Sequence, residues 1–352
     1  MKKISCNSLS TGVLSLALFA LFSIALFTSC GSSYKAHSGN HSSIQPKPEW
    51  AGTIATITSK SNKDILDAAV WDVVQIREGL TLKTCSFDTL YGVPQYLSML
   101  EIDPRYYKFE FVDHDGMKQT TTMATALNEV AALNGTFYDM SKGNSVAYLQ
   151  IRGLLLDTSR HDDVYPQING ALKIKKGEIQ IVDWSPVIEA DVRAKIEKEA
   201  KVKYGTLTNY NGKQTPRFVV KSKKQKDISY MAAQPMLIKN GQAVLPLADM
   251  PGFNVKKHNR SIVFTKGKKV YFLVIDGRAK GKAEGMSIAE MCDLLLYLGA
   301  EQALNLDGGG SSTLYISEPY KGSNIVNYPS DNRKFDHQGE RHISNHIGVY
   351  AR

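Results

Sequence analysis

The sequence predicts a single globular domain of the α+β or α/β class, with a mixed sheet, flanking helices and a C-terminal strand–helix–strand crossover. From residue 79 onward, apolar runs bounded by Gly, Asp and Asn recur at the length of strands. In the last third, the apolar runs 269–275 and 302–306 flank a stretch with helical apolar spacing. The length of 352 residues and an ordinary composition allow one sizeable core.

The crossover is the part of the chain with the clearest sequence signals for secondary structure. Ser287 and Glu290 form a capping box at the start of the helix, and Gly299 ends it. If the two strands are parallel neighbours, the residues that follow them, Asp276 and Asp307, lie at the same edge of the sheet. Open α/β sheets bind ligands in crevices at that edge, so we expect the site there.

Further elements follow from local patterns. Strands are predicted at 94–102 and 107–112, a short helix at 121–129 and a buried strand at 130–133. The stretch 184–230 is predicted to be an insertion into the domain. Within it, we expect a surface helix at 187–200 and a hairpin turn at Asn211-Gly212. A second hairpin is predicted at 235–241.

The amino end is typical of a bacterial lipoprotein signal. Lys2 and Lys3 precede the apolar run 13–27, and small residues surround Cys30, the expected site of lipid attachment. A permanent transmembrane helix and an ordinary cleaved signal are the alternatives; the run is shorter than the roughly 20 residues of a span.

The domain boundaries follow from this reading. Residues 1–29 are expected to be the signal, 30–49 a flexible polar tether and 50–352 the folded domain. We expect an exported protein that a lipid anchors to a bacterial membrane, in the periplasm or at the cell surface.

The charge and the cysteines narrow the function. The net charge is +9, and lysines cluster at 173–176 and 221–226, which favours anionic substrates or an anionic membrane. No nucleic-acid module or aromatic interleaving is present, so nucleic acid is not an expected partner. Cys85 and Cys292 remain after Cys6 and Cys30; two buried thiols are expected, with a disulfide as the alternative.

Two carboxylates and three glycines suggest chemistry at the predicted edge. Asp276 and Asp307 suit acid/base or glycosidic work, although Asp-Gly is also a common turn pair. The amides of Gly308, Gly309 and Gly310 suit an anion-binding nest, with a tight turn of small residues as the alternative. Neither a Walker pattern nor a serine-hydrolase elbow is present in this string.

Arginines are the expected phosphate ligands because a guanidinium binds phosphate bidentately. Arg260, Arg278 and Arg341 are the candidates, and Arg278 is best placed, two residues after Asp276. The histidines lack zinc-type spacing, so they are expected to be surface or satisfied core residues. No metal and no cofactor are predicted.

Several ordered motifs carry a resemblance to a known family. The string Asn305-Leu306-Asp307-Gly308-Gly309-Gly310-Ser311-Ser312, with Asp276-Gly277-Arg278 one crossover earlier, resembles the phosphodiester glycosidase family, which includes the mammalian uncovering enzyme, N-acetylglucosamine-1-phosphodiester alpha-N-acetylglucosaminidase. The other matching stretches are Asn134-Gly135-Thr136-Phe137-Tyr138, Gln234 to Ile238 with Asn240-Gly241, His258-Asn259-Arg260-Ser261, Gly285-Met286-Ser287 with Glu290, and Arg341 with Asn345-His346-Ile347-Gly348-Val349. Thr136 and Ala283 depart from the family pattern and leave the preferred sugar open.

The resemblance implies a hydrolase that cleaves the glycosidic bond of sugar-1-phosphodiesters of the N-acetylglucosamine type. It would release free sugar and a phosphomonoester. Asp276 and Asp307 would then be the catalytic carboxylates. The substrate-binding residues would be Asn134, Arg260, Arg278, Asn305, Gly308, Gly309, Gly310, Ser311 and Arg341.

Two other functions remain open at this point. The main rival is a lipoprotein that binds surface glycans without cleaving them. The second is a different hydrolase, such as one that acts on a cell-wall phosphodiester without glycosidic cleavage. In each case the expected partners are a sugar-phosphate glycan and, through the lipid at Cys30, a membrane.

Overall fold

The structure is a computed structural model that describes residues 60–160, 168–198, 201–209, 211–244 and 255–352. The predicted signal at 1–29, the lipid site at Cys30 and the tether at 30–49 lie outside the described residues, so they stay predictions.

Strands dominate the described residues, and helices are few. The helices are α1 (Lys60–Asp67), α2 (Thr120–Ala126), α3 (Pro186–Glu197) and α4 (Ile288–Leu298). The first strands are β1 (Asp72–Arg77), β2 (Leu80–Phe87), β3 (Gln95–Ile102), β4 (Tyr107–Lys118), β5 (Ala131–Asn134), β6 (Tyr138–Asp139), β7 (Asn144–Ser145), β8 (Leu149–Ile151), β9 (Leu154–Asp157), β10 (Gly170–Lys175) and β11 (Glu178–Asp183). The later strands are β12 (Lys201–Thr208), β13 (Gln214–Lys221), β14 (Ile228–Ala233), β15 (Met236–Lys239), β16 (Gln242–Ala243), β17 (Arg260–Lys266), β18 (Lys269–Ile275), β19 (Gln302–Asn305), β20 (Leu314–Tyr320), β21 (Ser323–Ile325) and β22 (Ile343–Ala351).

Two large sheets contain most of these strands. The eight-stranded sheet has the order β1-β2-β3-β18-β17-β19-β15-β16. The twelve-stranded sheet has the order β11-β10-β14-β8-β9-β13-β12-β4-β22-β5-β20-β21. Its β12 and β4 pair in parallel at Thr208 and Gly116, while its other described pairings are antiparallel, so the sheet is mixed. All described residues belong to one compact unit, Lys47–Arg352.

The main core lies between the inner faces of the two sheets. Leu80, Leu100 and Phe272 from the eight-stranded sheet pack in one cluster with Phe109 and Leu133 from the twelve-stranded sheet. The Phe109 and Phe272 rings meet edge to face, with centroids 6.0 Å apart. Burial of these large apolar side chains is the main contribution to stability.

A second core covers the other face of the eight-stranded sheet. Met291, Leu294 and Leu295 of α4 pack there with Ile262 and Leu273. The predicted capping box at the start of α4 is confirmed: the Ser287 and Glu290 side chains each accept a hydrogen bond from the other residue's amide. Gly299 ends the helix in the left-handed conformation, also as predicted (φ 78°).

The predicted strand neighbours in the crossover are wrong. Strand β17 lies between β18 and β19 and pairs antiparallel with both. Two strands that are antiparallel to the same neighbour still point the same way. Arg260 pairs with Ile275 and Ile262 pairs with Asn305, so β18 and β19 do end at a common edge.

The remaining local predictions compare closely with the structure. Strands form at 95–102, 107–118 and 131–134, and the helix predicted at 187–200 spans 186–197. Cys85 and Cys292 are buried free thiols, which confirms the expectation of unpaired cysteines. Burial raises the pKa of Cys85 to about 11 and that of Cys292 to about 12. Among the described residues, no helix has the length and apolar character needed to cross a membrane.

The packing between the sheets gives a stability prediction. Phe272→Ala empties a fully buried site against Phe109 and is expected to lower the free energy of unfolding by about 3–5 kcal/mol in a urea titration. Phe218→Ala is the matched control, because that side chain is 65% exposed and its loss is expected to cost less than about 0.5 kcal/mol. Equal losses in both variants would contradict this location of the core.

Candidate active site

A turn of three glycines follows β19 at the common strand edge. Gly309–Ser311 form one turn of 3-10 helix, and the backbone on either side is tied to neighbouring chain segments. The Asp307 amide donates to the Gly135 carbonyl at 3.2 Å, and the Gly309 amide donates to the Asn259 carbonyl at 2.9 Å.

Each of the three glycines is required by a different neighbour. A Cβ on Gly308 would stand 2.6 Å from the Asn259 carbonyl oxygen, which belongs to fixed backbone. Cβ atoms on the next two glycines would meet guanidinium groups, 2.7 Å from Arg278 Nη2 and 2.5 Å from Arg341 Nη2. Gly309 also has a φ of 62°, which side-chain-bearing residues rarely adopt. Two arginines therefore lie directly against the glycine turn.

The buried side chain of Asn134 holds this turn in place through hydrogen bonds. Its Oδ1 accepts hydrogen bonds from Ser261 Oγ at 2.7 Å and from the Thr313 amide at 3.1 Å. Its Nδ2 donates to the Asp307 carbonyl at 2.7 Å. The side chain is fully buried, so it positions the Asp307 backbone from within the protein.

The Asp307 side chain lies among groups that favour its charged form. Gly308 donates its amide to Asp307 Oδ1 at 2.9 Å. Burial raises the pKa of Asp307, while the Ser311 hydroxyl, the Gly308 amide and the positive charges of Arg341 and Arg278 act in the opposite direction. Both arginines therefore lie close enough to act electrostatically on this carboxylate.

Arg341 is held by a second acid on the loop that precedes β22. Its Nε donates to Asp331 Oδ1 at 2.7 Å, and its Nη2 also pairs with Asp331. Tyr138 completes this side of the site, with its hydroxyl 3.2 Å from Ser311 Oγ and 3.2 Å from the His342 carbonyl. Burial raises the pKa of Tyr138, so its hydroxyl stays protonated.

Arg278 approaches the turn from the end of β18. It has a φ of 61° and an exposed side chain whose guanidinium faces Gly309. Its Nε lies 3.4 Å from His258 Nδ1. Burial, together with the charges of Arg260 and Arg278, lowers the pKa of His258 to about 4, so the ring is neutral. Its Nδ1 can therefore accept a hydrogen bond from Arg278 Nε–H.

Asp276 lies at the same strand edge, but its carboxylate is buried in protein. Oδ1 accepts from Asn327 Nδ2 at 3.0 Å and Oδ2 from the Tyr328 amide at 2.9 Å. Burial raises the pKa of Asp276 to about 7, against the lowering effect of these two hydrogen bonds. Asp276 therefore anchors the start of the loop that carries Asp331 and Arg341.

Arg260 and Asn305 are also directed into the protein. Arg260 is 2% exposed and donates from Nε to the Met286 carbonyl at 3.0 Å and from Nη2 to the Lys256 carbonyl at 2.9 Å. Burial lowers the pKa of Arg260 to about 10. Asn305 donates from Nδ2 to the Gln234 carbonyl at 2.7 Å. The structure thus places both residues in the frame beneath the turn.

Three residues of the cluster were not predicted from the sequence: Tyr138, Asp331 and His258. Tyr138 and His258 lie inside motifs whose other residues were predicted to bind substrate, so their positions in the sequence could have indicated them. Asp331 lies in an irregular loop, and nothing in the local pattern marks it as the partner of Arg341.

A chain of buried polar side chains crosses the strands next to this site. His114 Nδ1 contacts the Ile343 carbonyl at 2.7 Å, and its Nε2 contacts His346 Nδ1 at 2.7 Å. His346 Nε2 lies 2.8 Å from Glu129, which also accepts from the Tyr350 hydroxyl at 2.6 Å. His346 is thus a satisfied core residue, as predicted.

A metal-binding cluster is not among the features of the described site. Within the described part of the chain, no group of three or more His, Cys, Asp or Glu side chains is arranged to hold a metal ion. A cavity of about 400 Å³ lies elsewhere, lined by residues that include Trp71, Phe264 and Leu298. The polar cluster around Asp307 is therefore what identifies the candidate site.

The buried Asp276 carboxyl predicts a pH effect on stability. Its pKa is about 7 in the folded protein against 3.8 usually, so the folded state binds the extra proton between those values. Stability should then fall as pH rises from about 4 to 7, by up to about 4 kcal/mol from this group. In Asp276→Asn this part of the slope should disappear in urea titrations across that range. Asp88→Asn, at an exposed position, should retain it; an unchanged slope in Asp276→Asn would contradict the assignment.

Three solved structures share the fold at low sequence identity. A zebrafish N-acetylglucosamine-1-phosphodiester alpha-N-acetylglucosaminidase catalytic domain, auto-inhibited by its pro-peptide, superposes with a TM-score of 0.52 at 15% identity, covering 81% of this chain and 84% of that one. A hypothetical protein from Synechocystis gives 0.51 at 16% identity, covering 81% and 64%. A putative exported protein from Burkholderia pseudomallei gives 0.51 at 14% identity, covering 73% and 74%.

The chain thus spans 64% of the length of the Synechocystis protein. No curated protein sequence matches it. The family model described as Phosphodiester glycosidase matches residues 127–350, a range that includes Asn134, the glycine turn and Arg341. The matched range is well over half of the chain, and the chain therefore belongs to the phosphodiester glycosidase family.

Proposed function

We propose that this protein hydrolyses the glycosidic bond of sugar-1-phosphodiesters, releasing free sugar and a phosphomonoester. The observation that carries the proposal is the cluster in which Asp307 precedes a glycine turn that Arg278 and Arg341 both contact. A carboxylate beside two guanidinium groups suits a substrate with a developing positive charge at the sugar and a negative charge at the phosphate. Family membership supports glycosidase-type hydrolysis in general.

The phosphate would be bound on the arginine side of the turn. Arg278 is exposed and its guanidinium faces Gly309, while Gly310 lies next to Arg341. Guanidinium and backbone N–H donors stabilise a phosphate that gains charge as the bond breaks. A phosphomonoester is already a good leaving group, so this role requires little help from a general acid.

Asp307 would act on the sugar. As the bond between the anomeric carbon and the phosphate oxygen breaks, its electron pair leaves with the phosphate, and the sugar becomes oxocarbenium-like. A carboxylate stabilises this charge. Burial raises the pKa of Asp307, and the positive charges of Arg341 and Arg278 act against that effect. Water supplies the new anomeric hydroxyl, and its second proton is released. Asp276 is proposed to position the Arg341 loop rather than to act on substrate, because both its oxygens are hydrogen-bonded within the protein.

The bond that breaks can be identified directly. Hydrolysis of N-acetylglucosamine-1-phosphodiesters in ¹⁸O-water is expected to put the label in the released sugar. Label in the phosphate would identify phosphodiester cleavage instead. Tight binding of the substrate with no product in either form would favour the glycan-binding alternative.

Asp307→Asn is expected to lower kcat/KM by at least about a hundredfold, because the amide cannot stabilise the positive sugar. The measurement is product release from a sugar-1-phosphodiester. Asp88→Asn makes the same chemical change at an exposed position and is expected to keep full activity. Undiminished turnover in Asp307→Asn would remove this residue from the mechanism.

Gly310→Ala tests the contact between the turn and Arg341. The added Cβ would stand 2.5 Å from Arg341 Nη2, so the guanidinium must move while the backbone remains in an ordinary conformation. We expect kcat/KM to fall about tenfold or more with a change in unfolding free energy below about 1 kcal/mol.

Gly205→Ala is the control for that substitution, since no atom lies within 4 Å of its added Cβ. Its kcat/KM should equal that of the unsubstituted protein. If Gly310→Ala is equally active, the position of Arg341 is not important for turnover.

A further inference from the structure

The hairpin of β12 and β13 presents an apolar, aromatic face to solvent. Tyr204 and Phe218 are cross-strand partners, and their rings meet edge to face with centroids 5.2 Å apart. Val202 lies on the same face, two residues along β12. These side chains are 78%, 65% and 59% exposed respectively. Three large apolar groups side by side on a strand pair form a patch rather than scattered exposed residues.

The opposite face fixes the hairpin to the domain. Arg217 is 5% exposed and pairs with Asp113 and, at 2.7 Å, with Asp157. Leu207 and Val219 are buried on this inner side. Removing Arg217 would leave two buried carboxylates without their partner, which is costly. The aromatic face is therefore held outward by the fold.

The chain segment that carries this face is basic. Residues 201–226 include seven lysines and no Asp or Glu. Lys201 and Lys203 alternate with Val202 and Tyr204 along β12, so they lie on the opposite face of the strand, next to the aromatic patch rather than within it. The lysines of this stretch are Lys201, Lys203, Lys213, Lys221, Lys223, Lys224 and Lys226.

We propose that the outer face of the β12–β13 hairpin docks on the surface of an anionic lipid bilayer. Aromatic side chains are favoured at the membrane–water interface, where apolar rings leave water without losing hydrogen bonds. Lysines near an anionic surface strengthen this binding electrostatically. A glycan is a poorer fit, since Val202 and Phe218 offer it no hydrogen bond. A second copy of the chain is a poorer fit because two hairpin segments that each carry seven lysines and no acid would repel each other.

The docked hairpin would bring the candidate active site close to the lipid surface. Its turn contacts the loop after β6, where Asn209 Nδ2 donates to the Ser141 carbonyl at 2.9 Å. Tyr138, which borders Ser311, begins the same β6 segment. The docking proposal does not depend on the reaction proposed above.

Hydrogen exchange of the full chain, reconstituted in vesicles, tests the proposal locally. Amides of 201–221 are expected to exchange at least about fivefold more slowly in vesicles that contain phosphatidylglycerol than in pure phosphatidylcholine vesicles. Tyr204→Ser with Phe218→Ser should abolish the difference. Lys201→Ser with Lys203→Ser should reduce it.

The matched controls are changes at other exposed positions. Val70→Ser with Val73→Ser removes apolar groups that are 87% and 56% exposed, and Lys268→Ser with Lys280→Ser removes two charges; both should keep the protection. Unchanged exchange at β18 in every variant shows that the domain is folded. Equal exchange in the two kinds of vesicle overturns the proposal. So does protection that appears only with a soluble anionic glycan, or protection without vesicles that rises with protein concentration.

Discussion

The steric fit between the glycine turn and its three neighbours is the constraint on which the site depends. The backbone of Gly308 lies against the Asn259 carbonyl, and the next two glycines lie against Arg278 and Arg341. Two guanidinium groups can approach one short backbone segment only where no side chain intervenes. The two groups would repel each other in isolation, but Asp307 and Asp331 lie beside them and offset that repulsion. Their positions therefore depend on backbone geometry as much as on charge.

The rest of the domain keeps that backbone in place. Strands β18 and β19 end at one edge because both pair with β17, and Asn134 ties the edge to the second sheet. Asp276 performs a related task at the start of the loop that carries Arg341. Burying this carboxyl group costs free energy, because its charged form loses hydration, although two hydrogen bonds offset part of that cost. The functional residues are thus few, and the residues that position them are many.

Local patterns in the sequence predicted the parts of the fold that depend on local interactions. The capping box at Ser287, the left-handed Gly299 and the strand that ends before Asp276 each follow from a few neighbouring residues. The position of β17 between β18 and β19 could not be predicted, because strand order is decided by contacts between distant segments. The neighbour prediction failed for that reason, although the shared edge did not.

The residues of the candidate site were likewise predicted only in part. The glycine turn, Asp307, Arg278 and Arg341 come together as the motifs indicated. Residue type did not indicate the direction of a side chain. Arg260 and Asp276 occupy motif positions, yet burial and backbone partners direct both into the protein. Asp331 could not have been found, because an ion pair across an irregular loop leaves no periodic signal.

The buried chain from His114 to Tyr350 has a consequence for the number of protons the protein holds. The Ile343 carbonyl needs a donor from His114, the contact between the histidines needs one hydrogen, and the contact of His346 with Glu129 needs another. Three hydrogens then serve two rings and one carboxyl group. Burial lowers the pKa of His114, so its ring is neutral, and the third hydrogen lies in the contact between His346 and Glu129. The total charge of the three groups is then zero whichever of those two side chains carries that hydrogen. Replacing one of these side chains alone would leave a buried donor or acceptor of its neighbour without a partner.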